Sequence, residues 1–478
     1  MYIAAFFSMA LGFIALTAEG DISLPESAAD LLAEGEYSQA ARIIDAQAAQ
    51  ASDVRERLAW EAERLRRIVL DYSLDREELL RQLRRRIKDF QENELAQWME
   101  ESRFDWRKID GEMRFLYPSV SNLFFRYPEL RARRRLPASE EYGRFLARIA
   151  ASWRHPEAEA YEFVRARRFH VQMNLTIAKD AAPDGANIRC WLPIPIENSF
   201  QKHFSLISSD PAALHIAASD APHRSIYLEK KTQAGKPTAF TIDYEYVSSP
   251  RYGEIDSQKV TALVPAKARR FTLEEPPHIV FLPEMGALLE SIAGEETNPY
   301  TIAKRIYDWI GENFRYSYAP EYSTIRNLSH YALAKRYGDC GQIAMLFITL
   351  CRMKGIPARW ESGWMLYPEM TGLHDWCAIY LDPYGWIPVD ANMGISALHD
   401  WDFLSPEEKE TVRDFYFGRM DPYRLEANSN HGGTFDPAKK YFRSDPVDFQ
   451  RGEAETSEEN LYYHRFDYDL KILSSQLE

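Results

Sequence analysis

The strongest repeat of apolar positions lies at residues 337–357, YGDCGQIAMLFITLCRMKGIP. Ile343, Leu346, Phe347, Leu350 and Cys351 recur there at spacings of three and four, which predicts one buried helix face. Gly338 and Asp339 break the preceding pattern and read as a turn and an N-cap, so the helix begins at Cys340. Gly355, with Pro357 two residues on, ends it. The pattern then changes to alternation. Residues 372–381, GLHDWCAIYL, read as a strand, 382–385 as a turn, and 386–390, WIPVD, as a second short strand. A tight two-residue turn would set Asp390 opposite Cys377, on the face away from His374. Bringing His374 and Asp390 to one face therefore requires a bulge or an odd-length loop.

Residues 25–165 carry a helical pattern, with Leu58, Leu65, Val69, Leu79, Leu83 and Ile87 as inward positions of a long stretch at 54–90. From 166 the period falls to two. Runs at 168–177, 187–192, 225–229 and 239–247, separated by Pro, Gly and Asp, predict a β-sandwich reaching to about 265. A Pro-rich crossing leads to a helix at 298–314, with Ile302, Ile306, Trp309 and Ile310 on one side. The catalytic-looking core spans 280–430, with a helix at 406–417. A C-terminal extension, 431–478, is expected to pack on that core and to hold a last strand at 461–472. The fold class is α+β, in several domains.

Composition changes this picture little. A chain of 478 residues has room for two to four domains. Its net charge of −14 argues against nucleic acid as the main partner. The arginines Arg64, Arg66, Arg67, Arg81, Arg84, Arg85 and Arg86, and the cluster at 131–135, read as solvated helix faces. The four cysteines, Cys190, Cys340, Cys351 and Cys377, show no CxxC pair and no zinc spacing. His170, His203, His215 and His223 lack ligand spacing, and no phosphate loop or EF-hand loop occurs, so no metal or cofactor is expected. Residues 2–16 form an apolar run resembling a signal-peptide h-region, with 18–20 as the cleavage position. That predicts a periplasmic or secreted protein with no integral span after the leader (residues 1–20) is removed.

The chemistry concentrates at three residues. A thiol at a helix N-terminus faces the positive end of the dipole, which favours the thiolate nucleophile. Cys340 holds that position, whereas Cys351 lies along the buried stripe and reads as core. A cysteine at a helix start, a histidine on a strand and a carboxylate on the neighbouring strand make a nucleophile, a base and an orienter.

Residues 338–364, GDCGQIAMLFITLCRMKGIPARWESGW, and 374–394, HDWCAIYLDPYGWIPVDANMG, resemble the core of the transglutaminase-like superfamily of papain-type cysteine enzymes. The likeness spans 295–400, and such proteins often carry a sandwich before the core. It implies Cys340 as nucleophile, His374 as base and Asp390 as its orienter, in an exported bacterial enzyme that forms an acyl-enzyme from an amide. Water as acceptor gives a peptidase or amidase, and an amine gives transglutamination. The partner is then a peptide, protein or cell-wall amide. The alternative is an idle papain-like groove that binds peptide or glycan. The Cys340 backbone N–H suits an oxyanion donor at a helix start, with Tyr316 and Tyr318 further candidates by position. Gln342, Trp376 and Tyr318 are the expected substrate contacts, Trp376 because it shares a strand face with His374. Asp375 points the other way and reads as structural.

Overall fold

The computed structural model describes residues 24–154, 164–251, 254–368 and 370–478. The apolar leader at 2–16 and its cleavage position lie outside them. Among the described residues no helix is long and apolar enough to cross a membrane.

Among the described residues of 25–165 the helical pattern resolves into short helices, with a hairpin of Trp106–Ile109 and Glu112–Phe115 between them. Glu26–Glu34, Tyr37–Gln50 and Arg55–Asp71 close around Ala40, Ile44, Leu58, Ala62 and Leu65. The 54–90 stretch breaks before Arg76–Arg86, whose start is capped by Asp75 accepting from Glu78 N–H. That helix packs with Glu92–Glu100 and Ser119–Arg126 around Leu83, Trp98, Leu123 and Phe124. The arginine runs are largely paired: Arg84 with Glu92, Arg133 with Glu94, and Arg131 with Asp400 and Asp402 of the core. Arg67 departs from the expected solvated face: it is buried and donates to the Arg443 and Ser444 carbonyls of the tail.

Two antiparallel sheets follow. Arg167–Ile177 turns Phe169, Val171, Met173, Leu175 and Ile177 inward by strict alternation, and it pairs with Thr238–Ser248. These side chains share one apolar cluster with Ile188, Cys190, Ile226 and Leu228 from the second sheet. The C-terminal extension does more than lie on the core. Phe466–Leu477 pairs along the whole of Arg167–Ile177, and Glu453–Glu455 pairs between Asn187–Pro193 and the edge strand Asn460–Leu461, so the tail extends both sheets at one side.

The core sheet has the order Gly385–Val389, Met370–Leu381, Ala358–Tyr367, Arg424–Asn428. Cys340–Met353 packs on one face, where Ile343, Phe347 and Cys351 meet Trp360, Cys377, Ile379 and Val389. Arg424–Asn428 approaches Ala358–Tyr367 so closely that a Cβ at Gly363 would overlap the Leu425 carbonyl oxygen. Gly363→Ala is therefore expected to cost ~1–3 kcal/mol or more of stability, read as a fall in the urea midpoint of unfolding.

Candidate active site

The nucleophile helix starts where the sequence places it. Cys340 is its first residue, and Asp339 caps it by accepting from Gln342 N–H at 3.1 Å. Cys340 is half-buried, while Cys351 is buried in the apolar stripe.

The strand pairing decides the next relation. Leu381 pairs with Gly385 and Cys377 with Val389, so the connection is a three-residue loop, 382–384. Gly385 closes it at φ +84°, a conformation glycine adopts without strain. An odd loop puts position 390 opposite Trp376, on the same face as His374. His374 Nε2 and Asp390 Oδ2 are 2.7 Å apart. Asp390 is fully buried and caps the next helix, Ala391–His399, by accepting from Met393 N–H. Arg424 Nη2 donates to Asp390 Oδ2 at 3.0 Å. Burial alone would push this carboxyl up; the His374 ring, Arg424 and the Met393 N–H outweigh it and hold Asp390 below the usual carboxylate range. With Nε2 engaged, Nδ1 is the imidazole nitrogen left to take a proton from a thiol.

The Cys340 sulfur rests not on His374 but on the next residue of that strand. Cys340 Sγ donates to Asp375 Oδ2 at 3.4 Å, and the Asp375 backbone N–H also favours the sulfur's charged form. Asp375 does leave the strand on the face opposite His374, and that is the face the nucleophile helix covers. Its neighbourhood corrects the expectation of a helix-activated thiolate. Burial first, then Asp375 and Asp339, push the Cys340 thiol well above its ordinary range. A helix terminus acts through partial charges of about half an electron, and two flanking carboxylates in a buried setting outweigh it.

The three expected substrate contacts separate. Trp376 shares the His374 face and stacks on the ring at 6.0 Å, but it is 1% exposed and its Nε1 donates to Glu361. Gln342 is wholly buried, with neither amide atom hydrogen-bonded to another described residue. Neither has surface to offer a substrate in this state, because both fill the interior beside the site. Tyr318, 42% exposed, keeps its surface. Its backbone is fixed by Asn122, whose Nδ2 donates to Tyr318 O (3.0 Å) and whose Oδ1 accepts from Tyr318 N–H (2.9 Å). Phe125, Tyr316 and Tyr318 meet edge to face. Burial, then Cys340, push the Tyr316 hydroxyl up, so it stays a donor beside the sulfur at neutral pH. The helical region thus builds one aromatic wall of the site. Asn122→Ala is expected to cost ~1 kcal/mol by leaving a half-buried backbone pair to water, seen as a lower unfolding midpoint and faster amide exchange at Tyr318.

Three positioning side chains were not singled out in the sequence: Arg424 on Asp390, and Tyr322 and Gln450 on Asp375. Asp375 was read as structural, and its place beside the sulfur had a local signal. The helix stripe must cover the apolar face of the strand, which holds Cys377 and Ile379, and Asp375 belongs to that face.

Residues 286–391 match the transglutaminase-like superfamily, and they include Cys340, His374 and Asp390. This segment is a transglutaminase-like domain. Among solved structures, the chain with this transglutaminase-like domain is similar to a candidate cysteine protease from Cytophaga hutchinsonii, at 16% identity and a TM-score of 0.40, over 66% of this chain and 93% of that one. It is also similar to the periplasmic domain of TgpA from Pseudomonas aeruginosa, at 15% identity and a TM-score of 0.26, over 57% and 96% of the two chains. A comparison with curated proteins finds no match.

Proposed function

We propose that the transglutaminase-like domain is an exported cysteine acyltransferase that attacks an amide through Cys340, His374 and Asp390. The observation that carries this reading is the 2.7 Å contact between His374 Nε2 and Asp390 Oδ2, beside the residue on which the Cys340 sulfur rests. In the reaction, His374 Nδ1 takes the thiol proton and the sulfur bonds to the amide carbonyl carbon. The tetrahedral oxyanion is met by the Cys340 N–H, with the Tyr316 hydroxyl as a second donor. Collapse breaks the C–N bond, and the imidazolium returns its proton to the leaving amine. The thioester on Cys340 then passes its acyl group to water or to a primary amine, with His374 as base again.

The acceptor is read directly by supplying both. In oxygen-18 water, hydrolysis puts the label into the released acid; with a fluorescent primary amine, transfer puts the amine on the acyl donor. Absence of both products from a mixed peptide and cell-wall amide library argues for the second reading, an idle groove that binds such polymers. The raised Cys340 thiol is the feature that favours that second reading.

A further inference from the structure

Resting on the acyl-transfer reading, we infer that Asp375 is a positioning residue that holds Cys340 as a protonated thiol until the sulfur turns to His374. The carboxylate is built into place. Tyr322 Oη donates to its Oδ2 at 2.8 Å, and Gln450 Nε2 donates to its Oδ1 at 2.6 Å and to the His374 carbonyl at 2.9 Å. Burial, then Asp445 and Asp375, push the Asp448 carboxyl well up and favour its form that donates to Asp375. The Cys340 thiol is the fourth donor. Glycine at 341 makes this approach possible. A Cβ there would overlap the Tyr322 hydroxyl and come within 2.6 Å of Asp375 Oδ2.

Burial, Asp375 and Asp339 act on the sulfur in one direction, against the Asp375 backbone N–H. Asp339 faces it from the helix cap, its own carboxyl pushed up to about 7 by burial and then Asp375. Tyr322 comes from the turn at 322–324 and shares its proton between Asp375 and, at 3.0 Å, Asp339 Oδ1. Tyr316 comes from Arg315–Tyr316, and Asp448 and Gln450 come from the tail. Burial pushes the Asp375 carboxyl up, and the Tyr322 hydrogen bond, then His374, pull it part of the way back toward its charged form. Arg451, the nearest cation of the tail, is paired with Glu321.

Turning the Cys340 side chain breaks the S–H···O bond to Asp375 and carries the proton to His374 Nδ1. Thiolate and imidazolium result, and Asp375 keeps its other three donors. Until that turn, the sulfur is a poor target for oxidants and alkylating agents, since both react with the thiolate. This suits a free thiol in an oxidising compartment.

The test is iodoacetamide labelling of the full chain across pH 6 to 10, read at Cys340 by peptide mass. Wild type should label more slowly at pH 7 than a model thiol, and its labelling should rise only in the alkaline range. Asp375→Asn should speed labelling at pH 7 about tenfold and move the profile about one unit toward neutral, with an unfolding midpoint showing a folded variant. A profile that overlies wild type overturns the role of Asp375. Should the variant not fold, wild type alone decides, because labelling at pH 7 as fast as a model thiol overturns it equally. Labelling requires no turnover. A fast-labelling wild type therefore leaves acyl transfer standing, whereas slow labelling with no thioester ever formed on Cys340 defeats acyl transfer alone.

Discussion

Cys340→Ala is expected to abolish acyl transfer, and His374→Ala to lower it by about 10³-fold or more, with folding intact in both. The substrate is unidentified, so the assay uses an activated acyl donor, p-nitrophenyl acetate, and follows the burst of nitrophenolate per active site. The two effects should be of similar size and should not add in the double variant, because sulfur and imidazole act as one unit. Cys351→Ala and Cys377→Ala serve as contrasts. Both thiols are buried in the apolar layer, with their ionisation pushed up by burial. Loss of either should lower stability and leave the burst of the folded protein unchanged. A burst that survives Cys340→Ala would place the nucleophile elsewhere.

The second large effect is at Asp390, where chemistry and stability meet. Asp390→Ala removes the partner of His374 Nε2, leaves Arg424 with a 3.8 Å ion pair from Nε to Asp421 and its contacts to the Tyr367, Trp376 and Tyr416 rings, and uncaps Ala391–His399. Removing one partner of a buried ion pair costs about 3–5 kcal/mol, and losing a cap costs about 1 kcal/mol. The unfolding midpoint should fall sharply, and the burst rate should fall by at least about 10²-fold as the imidazole loses its orientation. Asp390→Asn should suffer less in rate. Its carbonyl can still accept from His374 and Arg424, while its amide faces the Met393 N–H donor. The sign of the pH dependence follows from the direction of the Asp390 shift. Its folded-state carboxyl is held below 3.8, so its contribution is complete above that value and is lost as pH falls through the lower one. The wild-type midpoint should therefore drop in acid more steeply than that of Asp390→Asn.

What the sequence made legible was local. The nucleophile helix is written in an N-cap, a stripe at three and four, and a glycine exit. All three are set by neighbours within a few residues, and the helix runs Cys340–Met353. The loop parity was legible for the same reason. A strand has period two, so placing His374 and Asp390 on one face required an odd count, and the count is three. The partners that set charge came from far along the chain. Arg424 reaches Asp390 across 34 residues, Gln450 reaches Asp375 across 75, and the last strand pairs with one that begins at Arg167. No local period encodes such meetings. The thiol shows the consequence. The helix terminus favours the thiolate, but burial, then Asp375 and Asp339, press harder, and only the folded chain buries the sulfur and brings Asp375 against it. Trp376 was assigned the correct face and the wrong exposure, because alternation fixes direction but not what packs above. Here its indole is turned to Glu361 inside the protein.

The most direct measurement of whether these side chains act together is the intact mass of the protein, quenched in acid after exposure to an acyl donor, with the modified peptide sequenced. The account predicts a hydroxylamine-sensitive acyl adduct on Cys340 in wild type and none in His374→Ala. An adduct that forms as fast without the imidazole, or one carried by any residue other than Cys340, would contradict it.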